Sequence, residues 1–178
     1  MDGHRGPLGS TAPLVNPTSV FANLTPDVPG TYKVSLLVSD FLGAGTPVTV
    51  TLVASSVVSY AEAAVRDACA IVEGLSRNQV TEKGNQKEFC KLMRQTIREL
   101  QNGHYSTASK KLGRAIERTD GCALRNTPDT KGNGRDWITV CSAQLLVYND
   151  LNSALNALSG LPDSGPRRHT DDKDKDDD

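Results

Sequence analysis

Four cysteines, two runs of basic side chains and a few aspartates are the residues of this sequence whose types and spacing could do chemistry. Cys69, Cys90, Cys122 and Cys141 include no C-x-x-C pair, and no histidine stands at zinc-finger spacing from them, so a tetrahedral thiolate site is not indicated. An even number of widely spaced cysteines points instead to disulfides and an oxidising compartment. Four buried free thiols in a reducing compartment are the alternative. Lys87, Lys91, Arg94 and Arg98 recur at spacings of four, three and four, which makes one stripe of a helix. Lys110, Lys111, Arg114 and Arg118 form a second stripe. Such stripes can bind nucleic-acid phosphates, an anionic polysaccharide or an acidic surface. They can equally be the solvated faces of amphipathic helices.

The remaining candidates are weaker. His104 follows a helix-ending glycine, where an exposed turn histidine is expected; as a general base it would need a partner such as Ser106 or Asp120. His4 and His169 fall in expected disordered ends. Asp120, Asp129 and Asp136, with Asn126 and Asn133 among them, offer oxygen ligands of the kind that hold calcium. Their spacing does not match a calcium-binding loop, and turn formation and capping account for them, with Asp136 placed as a helix N-cap. No nucleophile–base pair, metal motif or phosphate loop stands out, so neither enzymatic activity nor a cofactor is expected.

The elements that must position these residues follow from periodicity. Alternation of Tyr32, Val34, Leu36 and Val38 with polar neighbours predicts a strand over Thr31–Asp40, and Val48, Val50 and Leu52 predict a second over Pro47–Val53. Residues Phe41 to Thr46, with Gly43 and Gly45, make the hairpin connection. Helical spacing then takes over in four stretches, Val57–Leu75, Asn85–Gln101, Tyr105–Arg118 and Asp136–Leu158. In the last, Cys141, Leu145, Tyr148, Leu151, Leu155 and Leu158 are among the inward positions. Short loops imply antiparallel neighbours. Cys69 lies six residues before the end of the first helix and Cys90 about five into the second. At ~1.5 Å per residue they reach similar heights across the hairpin. Cys122 and Cys141 enclose a Gly/Pro/Asn-rich loop. Cys69–Cys90 and Cys122–Cys141 are thus the local pairings, though others are possible.

Composition limits the classes further. The 178 residues suffice for one ordinary domain or two small ones, and with few aromatic side chains a small core gains from cross-links. The net charge of −1 hides an asymmetry: Asp171–Asp178 carries six Asp and two Lys, whereas positions 83–118 hold nine Lys/Arg against three Glu. No apolar run is long enough to span a membrane, and no leader is visible, which suggests a fragment of a secreted protein. Asn23-Leu24-Thr25 is a glycosylation sequon. The expected organisation is a β part over 1–54, a helical part over 55–160 and a disordered acidic tail over 161–178.

Asn16-Pro17-Thr18-Ser19-Val20, Pro26-Asp27-Val28-Pro29-Gly30-Thr31-Tyr32, Val38-Ser39-Asp40 and Pro47-Val48-Thr49-Val50 resemble the later strands of PKD-type immunoglobulin-like domains. Arg5–Ala12 fits the segment preceding those strands, although Gly6-Pro7-Leu8-Gly9-Ser10 also resembles the remnant of a cleavable expression tag. Such domains have about seven strands, so the resemblance implies a partial sandwich with its first strands missing and its inner face open. Asn102-Gly103-His104-Tyr105, Thr119-Asp120-Gly121-Cys122-Ala123, Pro128-Asp129, Asp136-Trp137-Ile138, Cys141, Gln144 and Tyr148 resemble a helical module that follows PKD-type domains near the C-termini of secreted bacterial proteins.

The expected fold is therefore α+β: a partial immunoglobulin-like β sandwich followed by a small antiparallel helical bundle with two disulfides. The expected function is a non-catalytic structural or adhesion module, extracellular or at the cell surface. Its expected partners are extracellular polysaccharide or other cell-surface proteins. Polyanion binding by the basic stripes is the alternative.

Overall fold

A computed structural model describes residues 4–129, 131–132 and 135–166. It divides into two compact units, residues 1–56 and 57–178. The chain is mixed α+β, with small antiparallel sheets, five α-helices among the described residues and two disulfides.

In the first unit, His4–Arg5 (β1), Gly30–Leu36 (β4) and Val48–Ala54 (β7) form a three-stranded sheet in the order β1-β4-β7. Leu14–Val15 (β2) pairs with Asn23–Leu24 (β3), and Ser39–Asp40 (β5) with Gly43–Ala44 (β6). The first long strand ends at Leu36, earlier than the alternation suggests, because Ser39–Asp40 folds onto Gly43–Ala44 in a tight turn held by Asp40 Oδ1 accepting from the Leu42 and Gly43 amides. In the main hairpin Tyr32 faces Leu52, Val34 faces Val50 and Leu36 faces Val48, so the apolar residues share one face. Only Tyr32 on that face is fully buried. Its hydroxyl lies 2.8 Å from the Val28 carbonyl and 3.0 Å from Asp27 Oδ1, and it accepts from the Val28 amide. Asp27 also takes bonds from Ser10 Oγ and the Thr11 amide at 2.6 Å each, which hold its carboxyl well below the usual range. The tag-like stretch is thereby built into the fold. His4 is likewise not in a disordered end: it belongs to β1 and stacks on Tyr32 with ring centroids 5.9 Å apart.

The second unit is a bundle of Val57–Glu73 (α1), Asn85–Gln101 (α2), Tyr105–Ile116 (α3) and Cys141–Leu158 (α5), with the one-turn helix Gly121–Arg125 (α4) between the last two. α1 packs on α2 and α5, and α3 on the same two helices. The core is a set of i, i+3, i+4 stripes: Ala61, Val65, Ala68 and Val72 from α1, Phe89, Met93, Ile97 and Leu100 from α2, Ala108, Leu112 and Ala115 from α3, and Val147, Leu151, Ala154 and Leu158 from α5. Alanines on α1 and α3 let the larger side chains of α2 seat between them. Among the described residues, no helix is long and apolar enough to cross a membrane.

Two helical expectations are corrected. The last helix begins at Cys141, not Asp136, because Ile138 makes an antiparallel bridge with Val80 and Val140 is extended. Its inward face is also rotated: Leu145 and Leu146 are exposed and Val147 is buried. The run Leu145-Leu146-Val147 is apolar throughout, so periodicity does not fix its phase, and packing against α1 and α3 does. The tail beyond Pro166, with His169, lies outside the described residues.

Candidate functional site

Both disulfides form in the local pairing. Cys69–Cys90 joins α1 to α2 with a Cα–Cα distance of 5.2 Å, and Cys122–Cys141 joins α4 to the start of α5 at 5.3 Å. Cys69, Cys90 and Glu73 bring a sulfur–sulfur–carboxylate group together, but the two sulfurs are bonded to each other and the carboxylate faces Arg94 at 3.7 Å. The arrangement is therefore a cross-link and not a ligand set.

The loop closed by Cys122–Cys141 is built by the residues that make the sequence there distinctive. Thr119 is buried and returns its hydroxyl to the Ala115 and Ile116 carbonyls, ending α3. Gly121 has no room for a side chain: a Cβ would meet the Asp136 carboxylate, the Asp129 nitrogen at 2.6 Å and the Thr127 oxygen at 2.8 Å. Asp136, expected as an N-cap, is buried and accepts from the Gly121 and Asp129 amides. Fully buried Gln144 accepts from the Cys122 amide at 2.6 Å and donates to the Ile138 carbonyl at 2.9 Å. Both ends of its amide are satisfied, as burial requires. Trp137 meets Phe89 edge to face at 6.5 Å, and the Arg118 guanidinium lies 5.7 Å from its ring centroid. Asn126 takes the left-handed conformation at φ 55° that ends α4.

The same contacts distribute the acidic residues. Asp120 and Asp129 flank Arg125 at 3.2 and 3.4 Å, while Asp136 points into the loop. Among the described residues the three carboxylates do not gather within the reach of one metal ion; Asn133 lies outside the described residues. His104 is not an exposed turn histidine. Its Nδ1 lies 3.1 Å from buried Glu99, and its Nε2 lies 2.9 Å from the Pro166 carbonyl. Asp163 instead caps the start of α3, accepting from the Ser106 amide at 2.8 Å and its hydroxyl at 2.6 Å. Those bonds, the hydroxyl's first, lower the Asp163 pKa. His104 thus meets Glu99 and Pro166, Ser106 meets Asp163, whose carboxyl pKa His104 also helps to lower, and Asp120 meets Arg125. The segment Leu161–Pro166 lies across the α2–α3 turn, with the Ser164 and Gly165 amides both reaching the Gly103 carbonyl. Nothing local in sequence signals this strap, since its partners lie some sixty residues upstream.

The basic residues divide by surroundings. Lys87, Lys91, Arg94, Arg98, Lys110 and Arg114 are exposed, and Lys111 and Arg118 half-buried. Lys91 pairs with Glu88 at 3.3 Å and Arg94 with Glu73 at 3.7 Å. Lys87, Arg98, Lys110, Lys111 and Arg114 make no ion pair among the described residues. The stripes meet where Arg98 of α2 and Lys111 of α3, with Gln95, Glu99 and Asn102, line a polar recess of 290 Å³. Arg118 is half-buried, with its guanidinium over the Trp137 ring. Comparison with family models, with curated proteins and with solved structures finds no match.

Proposed function

We propose that this chain is a non-catalytic extracellular module, structural or adhesive, belonging to a secreted or cell-surface protein. The observation that carries this reading is the pair of disulfides, which fasten α1 to α2 and α4 to α5; such bonds persist in oxidising compartments. The residues best suited to chemistry, His104, Ser106 and Asp120, are each engaged in structural contacts. The β unit reads as part of a PKD-type immunoglobulin-like domain. The Tyr32 hydroxyl supports that reading by bonding back to the Val28 carbonyl four residues upstream, the geometry of a tyrosine corner. Peptide mapping without reductant, on protein made in an oxidising compartment, should recover both cysteine pairs linked. Four freely titrating thiols would overturn the reading.

A second reading is favoured by a specific observation: cations without ion-pair partners from two helices converge on the Arg98–Lys111 recess. In this reading α2 and α3 bind an extracellular polyanion, and counterion release makes the affinity fall with salt. Wild-type protein should be retained on a heparin column at low ionic strength. Arg98→Gln/Lys111→Gln should elute earlier and lower the salt slope by about one per cation removed, with the helical circular dichroism unchanged. No retention of the wild type would leave the stripes as solvated faces.

A further inference from the structure

The outer edge of β7 is an open template for another strand. β7 is the last strand in the order β1-β4-β7, paired with β4 along its full seven residues. Its other side meets no backbone partner among the described residues. Strand edges exposed to water ordinarily carry a lysine, a proline, a bulge or an inward charge that blocks further pairing. Val48-Thr49-Val50-Thr51-Leu52-Val53-Ala54 has none of these. On the face it shares with β4, Leu36 and Val48 are each 62% exposed, Val50 53% and Leu52 41%.

The charge on the unit selects the partner. Between His4 and Ser56, Arg5 and Lys33 balance Asp27 and Asp40, and β7 itself is uncharged. A surface of that kind offers nothing to steer a charged partner and nothing to repel its own copy. The sequence is also self-complementary. Antiparallel pairing of two copies about Thr51 sets Val48 against Ala54, Val50 against Leu52, Thr49 against Val53 and Thr51 against itself. Val48, Val50, Leu52 and Ala54 then stay on one face, and Thr49, Thr51 and Val53 on the other.

We propose that two copies of this chain associate through antiparallel pairing of their β7 edges, giving an isologous dimer with one continuous six-stranded sheet. The contact closes on itself because each copy contributes the same edge. Sedimentation of the full chain from micromolar to millimolar concentration tests it. The wild-type mass should rise from monomer towards dimer and stop there. Thr51→Lys and Thr51→Glu each place like charges face to face across the two-fold and should raise the dissociation constant at least roughly tenfold. An equimolar mixture of the two variants should dimerise again, which also demonstrates that both have folded. A wild type monomeric throughout, growth past the dimer, or a mixture no stronger than either variant alone would overturn the proposal.

Discussion

Replacing Cys122 and Cys141 together by alanine isolates what the second cross-link contributes. The bond closes a chain segment of 19 residues, and the loop-closure entropy restored to the unfolded state on removing it amounts to about 3 kcal/mol. The native loop keeps its other supports: Gln144 on the Cys122 amide, Asp136 on the Gly121 and Asp129 amides, and Trp137 against Phe89. The folded state should therefore survive with nearly unchanged structure, and the loss should fall on stability. For a unit whose total stability lies in the usual range of about 5–15 kcal/mol, that is a large fraction. Urea unfolding should be followed by helical circular dichroism and by the fluorescence of Trp137, the only tryptophan and a direct reporter of this corner. With a slope of about 1–3 kcal/mol per molar urea, the midpoint should drop by roughly 1–3 M. A midpoint that moves by a few tenths molar at constant slope would show that hydrogen bonds and packing hold the loop, and that the entropic argument is wrong.

Three further outcomes follow from the geometry. Gly121→Ala should destabilise the helical unit by about 2 kcal/mol or more, because the added methyl displaces the Asp136 carboxylate from the amides it accepts; a wild-type melting temperature would show that the loop relaxes freely. Asp150 has its pKa raised, first by burial and then by the Asp67 charge, so a penalty on folding grows as pH rises through the ordinary aspartate value and is full above the folded-state value, while below the ordinary value both states are protonated and the penalty is gone. Asp150→Asn should accordingly raise the melting temperature at neutral pH and leave it unchanged in strong acid; equal effects at both would refute the assignment. Asp27 is depressed by its bonds from Ser10 and Thr11, so its contribution to the β unit is full above the ordinary aspartate value and is lost as pH falls through the folded-state value. Asp27→Asn should speed hydrogen exchange at the Thr11 amide, which donates to the carboxylate, at neutral pH; an unchanged Thr11 amide would count against the corner as drawn.

The elements most legible in the sequence are those with strong amphipathic contrast and an unambiguous stop. Residues Asn85–Gln101 form a helix over the expected bounds because polar and apolar faces alternate cleanly and Asn102-Gly103 ends it, with Gly103 at φ 73°. The main hairpin pairs as its alternation implies, and the cysteines pair as the helical layout implies. What was not legible depends on contacts between distant residues. Asp136 has the composition of a helix cap but spends its carboxylate on a loop fifteen residues earlier. α4 is a single turn around a cysteine, too short to show a period. His104 carries no local sign that Glu99 and Pro166 enclose it. At the basic stripes, spacing shows that cations share a helix face; it does not show that Arg98 and Lys111 meet across two helices or that Arg118 turns to Trp137.

This division bears on where function should be sought. The residues that make the Thr119–Gln144 region distinctive are nearly all committed to holding a loop: a hydroxyl ending α3, a glycine with no room for Cβ, a buried carboxylate on amides, a buried amide bridging two segments, and a disulfide. Substituting any of them would remove a buried partner and lower stability, so a loss of binding in such a variant would report unfolding and not a contact. The surfaces free to meet a partner carry little of that distinctive pattern. Among them are the exposed cations of α2 and α3, whose replacement costs little stability, and the uncharged edge of β7. Variants there can change association while the disulfide-bonded core remains folded, which makes them the positions where a lost activity can be read as a lost interaction.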